Sequence, residues 1–283
     1  MLKRNNNFIC SKDYLYYIKK EWGCIMLIDG KIVECEFEYT KNFSEFYENE
    51  DIIRFRDNQL SDMYYHNYTY IKKAMSEIEV KRIIQDEISL RLSEKSKFCN
   101  ILLNSNVNSS LMSAIKYNAE ISTNGYYSFD ISYFLKLNAL SGCTIKKVTN
   151  QEMIDDVLFC DLQQDEKNLG KDFCTRRCYR RGKVYVSNKG VNSYLCYHNG
   201  DIIGNCDLFI YKEIAKIEDF AVNPIYQRKG YGTTILKSLI DIAIKENCHT
   251  IYLVTDEDDT AKEMYQKIGF NKIGERTNLF FQL

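Results

Sequence analysis

Proline occurs once in the 283 residues, at Pro224, and glycine only 13 times. In such a chain an enforced turn marks a place where the backbone has a particular task. Neither sign of charge dominates: 38 Lys and Arg stand against 39 Asp and Glu, a net charge of −1. No overall field draws the molecule toward nucleic acid or an anionic membrane, and neither is expected as a partner. No stretch approaches the roughly 18 consecutive apolar residues of a membrane span. The opening residues lack the apolar run of about 7 to 15 residues found in a secretory signal. Eleven cysteines are present, yet none forms a CxxC pair, and the nearest two are Cys174 and Cys178. The three histidines, His66, His198 and His249, are too dispersed for a metal site or a catalytic dyad, so no metal is expected. These absences point to reduced, mostly buried thiols in a cytoplasmic protein.

The composition that remains, 45% hydrophobic and 27% charged, suits one large domain or two of about 140 residues. A seam is expected at 137–143, separating a unit of 1–138 from one of 143–283. The second unit reads clearly. Residues 144–149 alternate as a strand, Asn150 is placed to cap a helix over 151–164, and a second helix covers 170–181. Residues 193–211 form two strands about Asn199-Gly200, a strong hairpin signal. A third antiparallel strand follows at 213–222, then a helix, a strand at 250–255, a short helix ending at Gly269, and a final hairpin. This order describes a mixed α/β fold with a mainly antiparallel sheet flanked by helices. In the first unit, 24–39 reads as a hairpin about Asp29-Gly30, 41–51 as a polar connection, and 69–95 as one long amphipathic helix. A strand at 98–104, a short helix at 109–118 and a hairpin over 119–131 then echo the element order of 248–283.

The proline and two of the glycines fall together in "VNPIYQRKGYG" (222–232). Pro224 cannot donate to a ladder and ends the strand before it. Gly230 and Gly232 admit backbone angles and close approaches closed to other residues. The amides entering the next helix point outward together, backed by the helix dipole and flanked by Arg228 and Lys229, an arrangement suited to a pyrophosphate. The spacing is neither GxxxxGK[ST] nor GxGxxG. It resembles the acyl-CoA signature V-x-P-x-x-[QR]-x-x-G-x-[GA] of the Gcn5-related N-acetyltransferases (GNAT), matching every specified position. Downstream, "DDTAKEMYQKIGF" (258–270) resembles the second signature of that family, with Ala261, Tyr265, Lys267, Gly269 and Phe270 in register, Asp258 where Asn is usual and Met264 where Leu is usual.

The resemblance covers 143–283 and implies the acyl-CoA N-acyltransferase fold, with acetyl-CoA as the cofactor. It implies that the strand end Phe220, Ala221 and Val222 splays from its neighbour and offers amides to the pantetheine arm and to the thioester carbonyl, as an oxyanion hole does. The pyrophosphate is expected on Arg228, Lys229, Gly230, Tyr231, Gly232 and Thr233, with Gln227 at the entrance. Tyr265 corresponds to the tyrosine that protonates the leaving thiolate, a reasonable transfer from a phenol of pKa about 10. The base does not follow from a motif. Glu218 and Asp219 lead into the site on opposite faces by strand alternation, and Glu218 is the choice. The basic run 171–183 flanks the acceptor site, touches the nucleotide's 3′-phosphate or, as is usual for such runs, forms a solvated helix face.

The first unit has no glycine turn ahead of its strand at 98–104. It is read as a second, degenerate GNAT-like half that walls the acceptor pocket with residues 57–70, or as an unrelated α/β cap. The expected activity is acetyl transfer to a primary amine by direct attack in a ternary complex. The alternatives are a protein that senses acyl-CoA without turnover and a structural module that binds none. A small-molecule or a peptide amine fits equally, and nothing in the letters sets the oligomeric state.

Overall fold

The computed structural model describes residues 28–73, 75–104, 111, 113, 115–187 and 190–283. Local signals in the second half act as written. Asn199 and Gly200, at φ 52° and 89°, close the turn between β7 (Val191–His198) and β8 (Asp201–Tyr211), which pair antiparallel from His198 and Asp201 outward. Asn150 accepts from the amide of Met153 at 2.9 Å and starts α3 (Gln151–Leu169), after β6 (Cys143–Lys147). Gly170 ends that helix at φ 80° and opens α4 (Lys171–Tyr185). The third strand, β9 (Ile214–Val222), is followed by a single 3₁₀ turn at Pro224 and then by α5 (Tyr231–Lys245). Beyond it lie β10 (Thr250–Asp256), α6 (Ala261–Lys267) and β11 (Phe270–Gln282).

The first half departs from the expected elements in three places. The stretch at Asp29-Gly30 is the start of a helix, α1 (Gly30–Lys41), and not a hairpin turn. The Asp29 side chain accepts from the amide of Lys31 at 2.7 Å, and Ile32, Cys35 and Tyr39 recur on one buried face, which helical spacing aligns and strand spacing does not. The polar connection holds a short edge strand, β1 (Glu45–Glu48), paired with β2 (Ile52–Arg56). The expected long helix is divided: Thr69–Ile71 forms β3, and α2 (Glu77–Ser93) begins only at Ser76, whose hydroxyl and backbone exchange bonds with Glu79 in a capping box. The strand at 98–104 is present as β4 (Phe98–Leu103). The short helix expected at 109–118 lies largely outside the described residues.

The two expected hairpins are also single long strands. β5 (Ala119–Phe129) and β11 run antiparallel along each other from Phe270↔Phe129 to Phe281↔Ala119, with a bulge between Lys272 and Gly274 in place of a turn. Each then pairs with the other half of the chain, β5 with β10 and β11 with β4. Among the described residues one sheet results, in the order β1-β2-β3-β4-β11-β5-β10-β9-β8-β7-β6. Apart from the additional edge strand β6, the order is symmetric about the β11/β5 pair. β3 and β4 are parallel with α2 as crossover, and β9 and β10 are parallel with α5 as crossover. The halves thus repeat a strand-helix-strand unit and exchange their last strands.

The helices divide between the two faces. α2 packs Val80, Ile83, Ile84 and Ile88 on Cys99, Ile101 and Leu103 of β4. α5 packs Ile235, Leu236, Leu239, Ile240 and Ala243, together with Tyr265 of α6, on Ala215, Ile217, Ile251 and Leu253. Each fully buried aliphatic side chain of this kind contributes about 1.5–3 kcal/mol. On the opposite face α1, α3 and α4 cover Leu195, Phe209, Tyr252 and Tyr126. The space left between α1, α4 and the middle of the sheet is the site.

Candidate active site

β9 and β10 are parallel partners only from Ile214↔Thr250 to Ile217↔Leu253. Beyond that point β9 continues to Val222 along β8, and β10 continues to Asp256 along β5. The strands therefore part, and the edge of β9 that faces the gap, from Glu218 to Val222, has no strand against it. A bulge marks the parting: Glu218 opposes Asp207 and Ala221 opposes Asn205, so Asp219 and Phe220 share one partner position. Asp219 takes φ 52° there. The extra residue cancels the alternation expected for Glu218 and Asp219, and both line the same cavity.

At the end of β9 the chain is pinned before it turns. The amide of Asn223 donates to Ile203 O at 2.8 Å and its side chain to Ile202 O at 2.7 Å. Gln227 turns its side chain back to Val222 O at 3.0 Å, so it staples the turn to the strand. Arg228 and Gly230 lie at φ 60° and 90°, and α5 begins with no side chain capping it. Thr234 is the first residue whose amide finds a carbonyl, that of Gly230 at 3.1 Å. Among the described residues nothing accepts from the amides of Arg228 to Thr233. Gly232 lets the bend close on β9: a Cβ there would lie 3.2 Å from the Phe220 ring and 3.7 Å from Val222. Lys229 bonds Ile225 O at 2.8 Å, Tyr231 packs between His198 and Tyr226 at ring separations of 5.5 and 5.7 Å, and Arg228 is exposed. This run of unpaired amides on a helix start, with a Cβ-free approach beside it, fits a pyrophosphate.

Tyr265 comes to the gap from α6. It is 9% exposed, and its ring stands 6.3 Å from Phe220 and 6.0 Å from Phe270. Burial, and then Cys206 and Glu218 nearby, push its phenol above the ordinary value. The hydroxyl is therefore protonated at neutral pH and able to donate.

On the other face of the sheet the gap opens into a cavity of about 230 Å³. Glu218 and Asp219 sit at its rim with Val254, Thr255 and Asp256 of β10. Lys216 lies between Glu218 at 2.8 Å and Glu36 of α1 at 2.9 Å, over the ring of Tyr39 at 4.3 Å. Glu36 also accepts from Tyr252 at 2.6 Å. Burial works to raise the Glu36 carboxyl, but Lys216, Arg276 and the Tyr252 hydroxyl outweigh it and hold it below the ordinary range. Arg181 of α4 reaches Asp207 at 3.0 Å and bonds Asp219. Arg177 reaches Asp165 at 2.6 Å and Asp161 at 3.3 Å. Arg177 and Arg181 of the basic run 171–183 thus line this cavity, paired with aspartates. Met63, Tyr65, His66 and Tyr68, all within 57–70, line the cavity from the first half.

Residues 158–270 match the family model described as the acetyltransferase (GNAT) family. An uncharacterized N-acetyltransferase of Bacillus subtilis (strain 168), CgeE, is 38% identical over 81 residues, 28% of this chain and 31% of that protein. The [ribosomal protein bS18]-alanine N-acetyltransferase of Escherichia coli (strain K12) is 31% identical over 102 residues, 35% of this chain and 68% of that one. The chain belongs to the GNAT acetyltransferase family. It spans less than a third of the first relative's length and about two thirds of the second's. A GCN5-related N-acetyltransferase of Kribbella flavida superposes with a TM-score of 0.67 at 11% identity, covering 90% of this chain and 96% of that chain, so the likeness in fold takes in both halves.

In this GNAT chain the residues picked from the two signatures meet around one gap. Phe220, Ala221 and Val222 form its β9 side, the 228–233 bend closes one end, and Tyr265 stands over Phe220. Gln227 faces the strand and not the bend. Sequence reasoning missed Glu36, Lys216, Asn100 and Asp256 as cavity residues. Glu36 was hidden because the alternation of Glu34, Glu36 and Glu38 with Cys35, Phe37 and Tyr39 imitates a strand. The signal that finds it is Asp29, a helix cap three residues before Ile32. No helix among the described residues is long and apolar enough to cross a membrane, and no cluster of His, Cys, Asp and Glu among them could hold a metal ion.

Proposed function

We propose that the chain transfers an acetyl group from acetyl-CoA to an amine by direct attack in a ternary complex. The observation that carries this reading is the juxtaposition at one gap: unpaired helix-start amides on one side of the sheet and a cavity lined by charged and aromatic side chains on the other. Acetyl-CoA supplies the activated thioester. The amides of Arg228, Lys229, Gly230, Tyr231, Gly232 and Thr233 hold its pyrophosphate. The free edge of β9 at Phe220, Ala221 and Val222 pairs with the pantetheine arm and polarises the carbonyl, which in comparable sites is worth about 2.7–4 kcal/mol per donor.

The acceptor occupies the cavity and presents a neutral nitrogen to the acyl carbon. As the C–N bond forms and the C–S bond breaks, Tyr265 donates its phenolic proton to the sulfur and recovers one from solvent. Glu218 takes the proton lost by the acceptor nitrogen, directly or through water. Lys216 fixes that carboxylate at the rim and ties it to Glu36.

The test is thiol release from acetyl-CoA in the presence of pooled amines, with acetyl-CoA binding measured separately by thermal shift. Amine-dependent thiol release at the rate of product formation is expected. Binding without thiol release from any amine would leave a sensing protein, and no binding would overturn the reading altogether.

A further inference from the structure

The cavity also indicates what kind of amine it takes. Every cation on its wall is already matched by carboxylates: Lys216 by Glu36 and Glu218, Arg177 by Asp161 and Asp165, and Arg181 by Asp161, Asp207 and Asp219. Among the described residues Asp256 on the rim has no cation; its side chain accepts from the amide of Asp258 at 2.9 Å. The lining itself carries three cations, Lys216, Arg177 and Arg181, and four carboxylates, Glu36, Glu218, Asp219 and Asp256; Asp161, Asp165 and Asp207 pair with the same arginines from behind the wall, and Arg276 lies behind Tyr126. The surplus is negative in a space walled by tyrosine rings, a setting that attracts cations.

Two further atoms on the far wall point the same way. Asn100 of β4 is 4% exposed and donates through its side chain to Tyr64 O at 3.2 Å, which fixes its amide orientation. Its Oδ1 is buried and without a partner, as is Oδ1 of Asn278 on β11. Both residues line the cavity. A buried acceptor oxygen left unpaired costs about 1–3 kcal/mol, so two in one wall call for a donor. The Nε of Arg177 is the unpaired donor on the wall, at the side where a second groove begins along Met63 and Tyr65.

The strand order sets the distance. β11 lies two strands from β10, which at the usual spacing is roughly 10 Å. The cavity is also smaller than the roughly 300–1,000 Å³ clefts that enclose drug-sized ligands. Building on the acetyl-transfer reading above, we propose that the acceptor is a slender aliphatic diamine or oligoamine. One nitrogen, neutral, meets the thioester at the gap beside Glu218 and Asp256. A second nitrogen, still protonated, donates to Asn278 and Asn100, on the second and third strands from β10, roughly 10–15 Å away across the sheet.

The experiment compares initial rates of thiol release with diaminoethane, diaminobutane, diaminohexane and diaminooctane, with hexylamine and octylamine, and with lysine and glycine. The expected result is a preference of at least tenfold in kcat/KM for the longer diamines over monoamines of equal length, reduced by added salt. Asn100→Leu is expected to lower the diamine-to-monoamine ratio about tenfold to a hundredfold by removing a hydrogen bond to a charged group. Asn100→Asp, close in shape, is expected to keep or raise that ratio, so the idea is tested even if the leucine variant folds poorly. Equal rates for monoamines and diamines, or a preference for the amino acids through Arg177, would overturn the proposal while leaving acetyl transfer in place. Acetyl-CoA that is turned over with none of these amines would count against the acetyl-transfer reading itself.

Discussion

Replacing Gly230 with valine isolates the contribution of the bend to coenzyme binding. Gly230 holds φ 90° and ψ −6°, a conformation that costs a β-branched residue about 1–3 kcal/mol. The position is not crowded, since a Cβ there would meet only the Leu140 side chain at 3.6 Å, an ordinary contact. The strain is therefore relieved by rotating the backbone, and the fold loses no more than about 1–3 kcal/mol. The same rotation turns the neighbouring amides away from their common point. A hydrogen bond to a charged group contributes about 1.5–3 kcal/mol. Losing two weakens acetyl-CoA binding by about 3–6 kcal/mol, or roughly 10² to 10⁴ in Kd. Calorimetric titration with acetyl-CoA and with acetyl-pantetheine, which lacks the pyrophosphate, separates this effect from general damage. Only the acetyl-CoA affinity is expected to fall. Equal losses for both ligands, or no loss for either, would refute the reasoning.

Tyr265→Phe removes the hydroxyl and leaves the ring on Phe220 and Phe270; kcat is expected to fall about 10²-fold or more with the acetyl-CoA Kd unchanged, and an unchanged kcat would remove Tyr265 from the proton path. Glu36 has a folded-state pKa below its ordinary 4.5, so it binds fewer protons folded than unfolded. Its contribution to stability is present above pH 4.5 and lost as the pH falls through the folded value. Urea midpoints measured from pH 6 downward are expected to decline, and Glu36→Gln to flatten that part of the decline. A variant with the same slope as the wild type would show that Glu36 is not the group responsible. Asp29→Ala removes the cap of α1 and is expected to cost about 1 kcal/mol, read from urea unfolding; no change would mean that Asp29 does not carry the helix start.

The parts legible in the sequence were those whose causes are local. Asn199-Gly200 needs only its own positive φ angles to turn the chain, Asn150 only the amide of Met153, and the bend at 224–232 only Pro224 and its two glycines. The bend and Tyr265 in register, to which we assign acetyl-CoA, could be marked out beforehand for this reason. Of the cavity opposite, only the 57–70 segment could be. The cavity walls come from α1, β4, β11 and the 57–70 segment, and they meet only because β5 and β11 cross to the other half of the sheet. A bulge at Lys272 and Gly274 does not announce itself as anything other than a turn until the partner strand is known. Asp219 is the same problem in miniature, since one residue with φ 52° reverses the face that alternation assigns to it. Asp29-Gly30 shows a different ambiguity. An Asp that caps a helix and an Asp that enters a hairpin turn use the same side-chain acceptor, and only the burial of Ile32, Cys35 and Tyr39 on one face decides between them.

A crystal structure of the protein with acetyl-CoA tests the central claim most directly. The account predicts pyrophosphate oxygens at about 2.7–3.2 Å from amides within 228–233, and the thioester in the gap between β9 and β10 beside Phe220 and Tyr265. Coenzyme bound elsewhere, or those amides turned inward onto the protein's own oxygens, would contradict it.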